Sequence, residues 1–144
     1  MKIKRILVVM LVAMFAFSSM ITTVSAASEA IPRSSYFDSC VPTFTISNGV
    51  ATVKLRYSVR NVDFTSVTLT VSIQRKLWNL FWVAYDIGVP NNVWSETKTE
   101  KTGTFTNTFS IEDTGNYRCN FTVTLEGVGA ESDVVETSLT YSYN

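Results

Sequence analysis

Asp113-Thr114-Gly115-Asn116-Tyr117-Arg118-Cys119 is the stretch whose reading decides the fold. Asp113 and Gly115 have turn chemistry, and the apolar residues beyond them recur at every second position: Tyr117, Cys119, Phe121, Val123 and Leu125. Successive side chains of a strand point to opposite faces, so these five share one buried face. A tyrosine two residues before a cysteine at the mouth of such a strand marks a tyrosine corner in a β-sandwich. The stretch specifies architecture and carries no chemistry.

The same period of two runs outward in both directions. From Thr43 to Ser47, Phe44 and Ile46 alternate with polar residues, and Asn48-Gly49 then supplies the pair of positive-φ residues that a type I′ hairpin needs. The returning strand places Ala51, Val53, Leu55, Tyr57 and Val59 on one face. A third strand follows with Val67, Leu69, Val71 and Ile73 inward, and a turn at Leu77-Trp78-Asn79 leads into a fourth with Phe81, Val83, Tyr85 and Ile87. Gly88 to Glu100 reads as the longest loop, with Trp94 lodged in it. Phe105, Phe109 and Ile111 belong to a fifth strand, Tyr117 to Leu125 to a sixth, and Val135, Leu139, Tyr141 and Tyr143 to a seventh. No segment has a helical period. About seven short antiparallel strands at this spacing predict an all-β sandwich.

Met1 to Ala26 stands apart from this pattern. Lys2, Lys4 and Arg5 precede an apolar run from Ile6 to Phe17, and Val24-Ser25-Ala26 is a small-residue end, which together read as a secretory signal peptide cut after Ala26 or Ala27. A retained membrane anchor would need about 20 apolar residues, and Ser18, Ser19, Thr22, Thr23 and Ser25 interrupt this run. The expected organisation is a signal peptide at 1–26, a flexible N-terminal arm at 27–39 and a sandwich domain at 40–144, in a secreted, extracellular product without a transmembrane anchor. The leader takes three of the twelve Lys and Arg residues, leaving nine against twelve Asp and Glu, a net charge of −3. With Arg75-Lys76 as the one basic pair, nucleic acid is an unsuitable partner. Export into a non-reducing space makes a Cys40–Cys119 disulfide the default, and closing a loop of about 80 residues would contribute roughly 4 kcal/mol.

The pattern Asp113-x-Gly115-x-Tyr117-x-Cys119 resembles that of immunoglobulin domains at the entry to their sixth strand, and the whole layout resembles immunoglobulin or fibronectin type III-like domains. The resemblance implies that the Tyr117 hydroxyl returns to nearby backbone and that Cys119 points into the core. The chain departs from the family in its second strand, where Leu55 and Tyr57 stand in place of the partner cysteine, and in its third, which lacks the buried tryptophan. Any bridge would therefore run from the first strand to the sixth. The chain is also similar in layout to small exported proteins of Gram-positive bacteria, a likeness that transfers no functional residue.

The sequence contains no histidine, which removes the usual general base near neutral pH and the commonest zinc ligand. Asp38, Asp63, Asp86, Glu96, Glu112, Asp113 and Glu126 are scattered at strand ends and turns, where solvated turn formers are the ordinary expectation. Glu131, Asp133 and Glu136 match no calcium-loop spacing. Neither catalysis, nor a cofactor, nor a metal is expected. The one concentration of useful chemistry is aromatic: Trp78, Phe81, Trp82 and Tyr85 on one hairpin, with Trp94 beyond it. Phe81 and Tyr85 share the inward parity and are expected in the core. Trp82 has the opposite parity and Trp78 sits at a turn, so Trp78, Trp82 and Trp94 are the candidate ligand-binding residues, unless the hairpin curls and the indoles cover the sandwich edge. Exposed indoles suit sugar rings or a partner protein's pocket. The expected function is a secreted, non-catalytic module binding a glycan, cell-wall polymer or surface protein. The alternative is a structural protein that forms homo-oligomers through edge-strand pairing.

Overall fold

The computed structural model describes residues 34–129 and 131–144. The leader expected at 1–26 lies outside these residues, as does the arm at 27–39 apart from residues 34–39. Among the described residues the chain forms eight strands: β1 (Phe37–Ser47), β2 (Val50–Val59), β3 (Ser66–Leu77), β4 (Phe81–Ala84), β5 (Val93–Lys98), β6 (Thr102–Ser110), β7 (Gly115–Glu126) and β8 (Asp133–Tyr143), with a 3-10 turn at Pro90–Asn92. The class is all-β, and no described helix is long and apolar enough to cross a membrane.

The strands make two antiparallel sheets. One has the order β1-β2-β6. In the other, β3, β7 and β8 lie side by side, and two short strands share the far edge of β3: β5 along Val67–Ser72 and β4 along Gln74–Leu77. Asn48 (φ 50°) and Gly49 (φ 73°) turn β1 into β2, as two positive-φ residues must in a two-residue hairpin. Gly49 is also a junction, because its N–H donates to the Tyr143 hydroxyl at 2.9 Å and its carbonyl accepts from Ile111 at 2.8 Å.

Alternation decides the packing. Val67, Leu69, Val71 and Ile73 of β3 and Tyr117 to Leu125 of β7 are buried on one face, against Phe44, Val53, Leu55 and Phe105 of the facing sheet, and no polar side chain is buried among the described residues. Each such aliphatic or phenyl group contributes about 1.5–3 kcal/mol. Edge-on ring contacts close both sides of the sandwich-like core: Phe44 against Tyr141 and Trp94 against Phe109, each with centroids 6.3 Å apart.

At one end of this core the Tyr117 hydroxyl donates to the Asp113 carbonyl at 2.6 Å, while Arg75 holds the same turn through the Asp113 carboxylate at 2.6 Å and the Thr114 carbonyl at 2.9 Å. Gly115 turns the chain with φ 148°, and a Cβ there would sit 3.3 Å from Arg75 Nε. Burial pushes the Tyr117 phenol up to about 12, with Arg75 opposing the rise and Tyr85 and Asp113 adding to it.

Four expectations are corrected. The segment 88–100 is not one loop, because β5 pairs with β3 within it; its inward positions are Trp94, Glu96 and Lys98, and two charges at a sandwich edge mask the period of two. Lys98 is accommodated over the Phe105 ring at 5.4 Å and beside Glu96 at 3.2 Å. Organised structure begins at Phe37 rather than Cys40. Phe81 is not core: it is 59% exposed, because the β3–β4 hairpin runs past Arg75, the last β3 residue that pairs with β7.

The Cys40–Cys119 disulfide is absent; both are free thiols set far apart. Cys40 lies on β1, at the edge of its sheet, and Cys119 lies on β7, flanked by β3 and β8 in the interior of the other. Parity alone aims both inward and says nothing of this lateral offset. Burial raises the Cys40 thiol to about 12 and pushes Cys119 higher still.

Two outcomes are expected. Replacing Tyr117 with Phe keeps the ring and removes the hydrogen bond, lowering stability by about 1 kcal/mol in urea denaturation. The native state holds the phenolic proton more tightly than the unfolded chain. Its contribution is therefore complete below pH about 10 and lost as pH rises toward about 12, and the variant should show a shallower alkaline loss across that window. For the thiols, a maleimide at pH 8 should label the native protein slowly, since the thiolate is the reactive form, and label two groups once the chain is unfolded without reductant. Rapid native labelling, or none after unfolding, would contradict the buried free thiols.

Candidate functional site on the outer face of the larger sheet

The outward residues of β3, β4, β7 and β8 form ordered rows across the sheet. Trp82 stands opposite Lys76, with Asn116 and Ser142 continuing that level. Gln74, Arg118 and Thr140 form the next row, and Ser72, Asn120 and Ser138 the one after. The face is therefore built of amides and hydroxyls around one indole and two cations.

These groups are held by each other. Gln74 Oε1 accepts from Arg118 Nε at 2.9 Å, from Arg118 Nη2 at 2.6 Å and from Asn120 Nδ2 at 3.3 Å. Asn120 also reaches the Ser72 hydroxyl at 3.3 Å, and Ser142 donates to Asn116 Oδ1. The Arg118 guanidinium lies 4.6 Å from the Trp82 ring centroid and Lys76 Nζ 5.7 Å from it, within the range of cation–π attraction. Trp82 is thus half-buried and fixed in orientation, and it lines an open depression of about 370 Å³ with Lys76, Asn116, Thr140, Tyr141 and Ser142. Such a surface offers a hydrophobic plane beside fixed donors and acceptors.

The three candidate tryptophans fall in different places. Trp82 is on this outer face. Trp78 is at the tip of the same hairpin, 83% exposed, followed by Leu80 at 70%. Trp94 is opposite Val71 on the inward side of β5, against Phe109, so the structure brings Trp78 and Trp82 onto one hairpin and leaves Trp94 on the other side of the sheet. Trp78 and Asn79 form the hairpin turn with φ 49° and 55°. A bulky residue at positive φ is an outlier, and it stores strain of order 1–2 kcal/mol.

Sequence reading missed Lys76, Arg118, Gln74, Asn116 and Asn120. Their outward parity was visible, but their assembly depends on the β3–β7 register, which joins Gln74 to Arg118 and Asn120 across 44 and 46 positions of the chain.

A larger cleft of about 610 Å³ opens near Tyr85, Phe109 and the carboxylates of Asp86, Glu112 and Asp113. Its polar groups serve the turns: Asp86 accepts from the Gly88 N–H at 2.9 Å, the Tyr85 hydroxyl accepts from the Glu112 N–H at 3.0 Å, and Asp113 binds Arg75. Asp133 accepts from the Ser34 hydroxyl. Among the described residues no group of three or more His, Cys, Asp or Glu side chains is placed to hold a metal ion. Comparison of the chain with protein-family models, with curated proteins and with solved structures finds no match in any of the three.

Trp94 and Trp82 should separate in urea denaturation. Trp94→Ala removes a ring that closes the core and is expected to cost about 3 kcal/mol. Trp82→Ala, which loses surface packing and cation–π contacts, should cost no more than about 1 kcal/mol. Equal losses would mean that both indoles are structural.

Proposed function

We propose that this protein is an exported, non-catalytic recognition module of immunoglobulin- or fibronectin type III-like architecture, and that it binds an extended glycan, a cell-wall polymer or a surface protein through the outer face of β3, β4, β7 and β8. The architectural part is supported by the strand orders β1-β2-β6 and β3-β7-β8, which correspond to A-B-E and C-F-G of the immunoglobulin sandwich. The absence of histidine from the sequence supports the non-catalytic part.

One observation carries the recognition reading: the Trp82 indole held by Arg118 over a face of interlocked amides and hydroxyls. A sugar presents apolar C–H faces and equatorial hydroxyls, and a fixed indole beside fixed amides meets both with little ordering cost. Trp78 adds support. Stability explains neither its exposure nor its backbone strain, and strain maintained at an exposed aromatic points to use.

A second reading, self-association by edge pairing, draws on β4. Among the described strands it hydrogen-bonds to β3 alone, and Phe81 and Val83 on it are exposed. At four residues it is a short template, which is how natural sheets limit such pairing, so recognition is preferred.

Protein produced from the full chain should be retained on at least one of a panel of immobilised cell-wall polymers and glycans, and Trp82→Ala should lose retention at least tenfold. Trp78→Gly should weaken retention while raising stability by about 1 kcal/mol, because it relieves the positive-φ strain. If Trp82→Ala binds as well as the parent, the site is wrongly placed. If nothing is retained and light scattering shows mass rising with concentration, assembly takes precedence.

A further inference from the structure

Resting on that reading, we infer that the polymer bound at the Trp82 face is anionic, carrying carboxylate or phosphodiester groups that Arg118 and Lys76 engage. The face lacks negative charge where it holds positive charge. The rows of Trp82, Gln74 and Ser72 contain no carboxylate, and the first acid met along β8 is Glu136, in the row beyond Ser138. Neither Lys76 nor Arg118 takes part in any ion pair between described residues, as is also true of Lys54, Arg56 and Lys101; what sets Lys76 and Arg118 apart is that both lie over one indole, that of Trp82. Two uncompensated cations stand together on a chain that the sequence assigns a net charge of −3 without its leader, so the patch runs against the overall balance.

The geometry of Arg118 sharpens the point. Its side-on pair of donors, Nε and Nη2, is taken by one neutral oxygen, Gln74 Oε1. Of five guanidinium N–H groups, three remain, including the end-on pair formed by Nη1 and the second Nη2 proton. That pair matches the two oxygens of a carboxylate or phosphate. Gln74 and the Trp82 ring fix the guanidinium plane beforehand, so binding orders little. A neutral sugar would use the indole and amides but leave both charges without partners. An acidic residue on the same polymer supplies them, since Lys76 Nζ and the Arg118 guanidinium carbon lie 5.7 Å and 4.6 Å from the indole centroid.

The test uses three immobilised polymers: a neutral glucan, a polyuronate and a polyglycerol phosphate. Parent protein is compared with Arg118→Gln, Lys76→Gln, Trp82→Ala and, as a charge control away from the face, Arg60→Gln, each checked for an unchanged fold by circular dichroism. The expected result is binding to one or both acidic polymers at least tenfold above the glucan. It should weaken about tenfold between 50 and 500 mM salt, and fall at least fivefold in Arg118→Gln and in Lys76→Gln but not in Arg60→Gln. The two acidic arms tell carboxylate from phosphate. Equal binding to the glucan, lost in Trp82→Ala and untouched by Arg118→Gln and Lys76→Gln, overturns the anionic inference and leaves the recognition reading standing. Loss in Arg60→Gln equal to that in Arg118→Gln overturns it as non-specific charge attraction. No binding to any of the three polymers overturns the anionic inference and removes the support for polymer recognition at this face, leaving a surface protein as the ligand class of the recognition reading.

Discussion

The hydrogen bond from the Tyr117 hydroxyl to the Asp113 carbonyl fixes where β7 begins, and almost everything else follows from that register. A strand shifted by one residue turns all its side chains over. In the observed register Tyr117, Cys119 and Phe121 complete the core, while Asn116, Arg118 and Asn120 lie on the outer face between Gln74 and Thr140. One strand therefore serves both the interior and the candidate site. The corner is local, its two partners only four positions apart in the chain.

That locality explains what could be read from the chain. Period-two alternation in β2, β3 and β7 is carried by residues close in sequence, and so is the Asn48-Gly49 turn. What failed was set by relations between distant strands. β5 was hidden because its inward side carries Glu96 and Lys98, which are tolerable only at an edge. Phe81 has core parity in a hairpin that outruns the strand beside it. Cys40 and Cys119 both face inward, yet β1 and β7 are offset sideways across the sandwich. The tryptophans of the hairpin could be singled out by composition, but the cations and amides around Trp82 could not, since Gln74 and Arg118 become neighbours only through sheet pairing.

The two faces of the larger sheet answer to different physical demands. Inward, volume and apolarity are all that is asked, and among the described residues 23 hydrophobic side chains fill the core without a buried polar one. Outward, a solvated strand asks for little, and Thr, Ser and Asn satisfy it. An arginine whose strongest acceptor is a neutral amide, and a tryptophan at a strained turn, exceed that demand. Their presence in the same corner of the sheet is the reason to look there for function.

Gly49 joins partners that are far apart in the sequence. Its N–H meets Tyr143, 94 positions away, and its carbonyl meets the residue that ends the run from β6, while Phe44 of β1 packs on Tyr141 of β8. β1 and β8 thus close the sandwich-like core on each other. Such a topology has high contact order, which places folding in the millisecond-to-second range rather than the microsecond one. A chain without β8 leaves the Phe44 ring of β1 uncovered along that seam, so the packing of the smaller sheet on that side is conditional on a strand more than 80 residues further along the sequence.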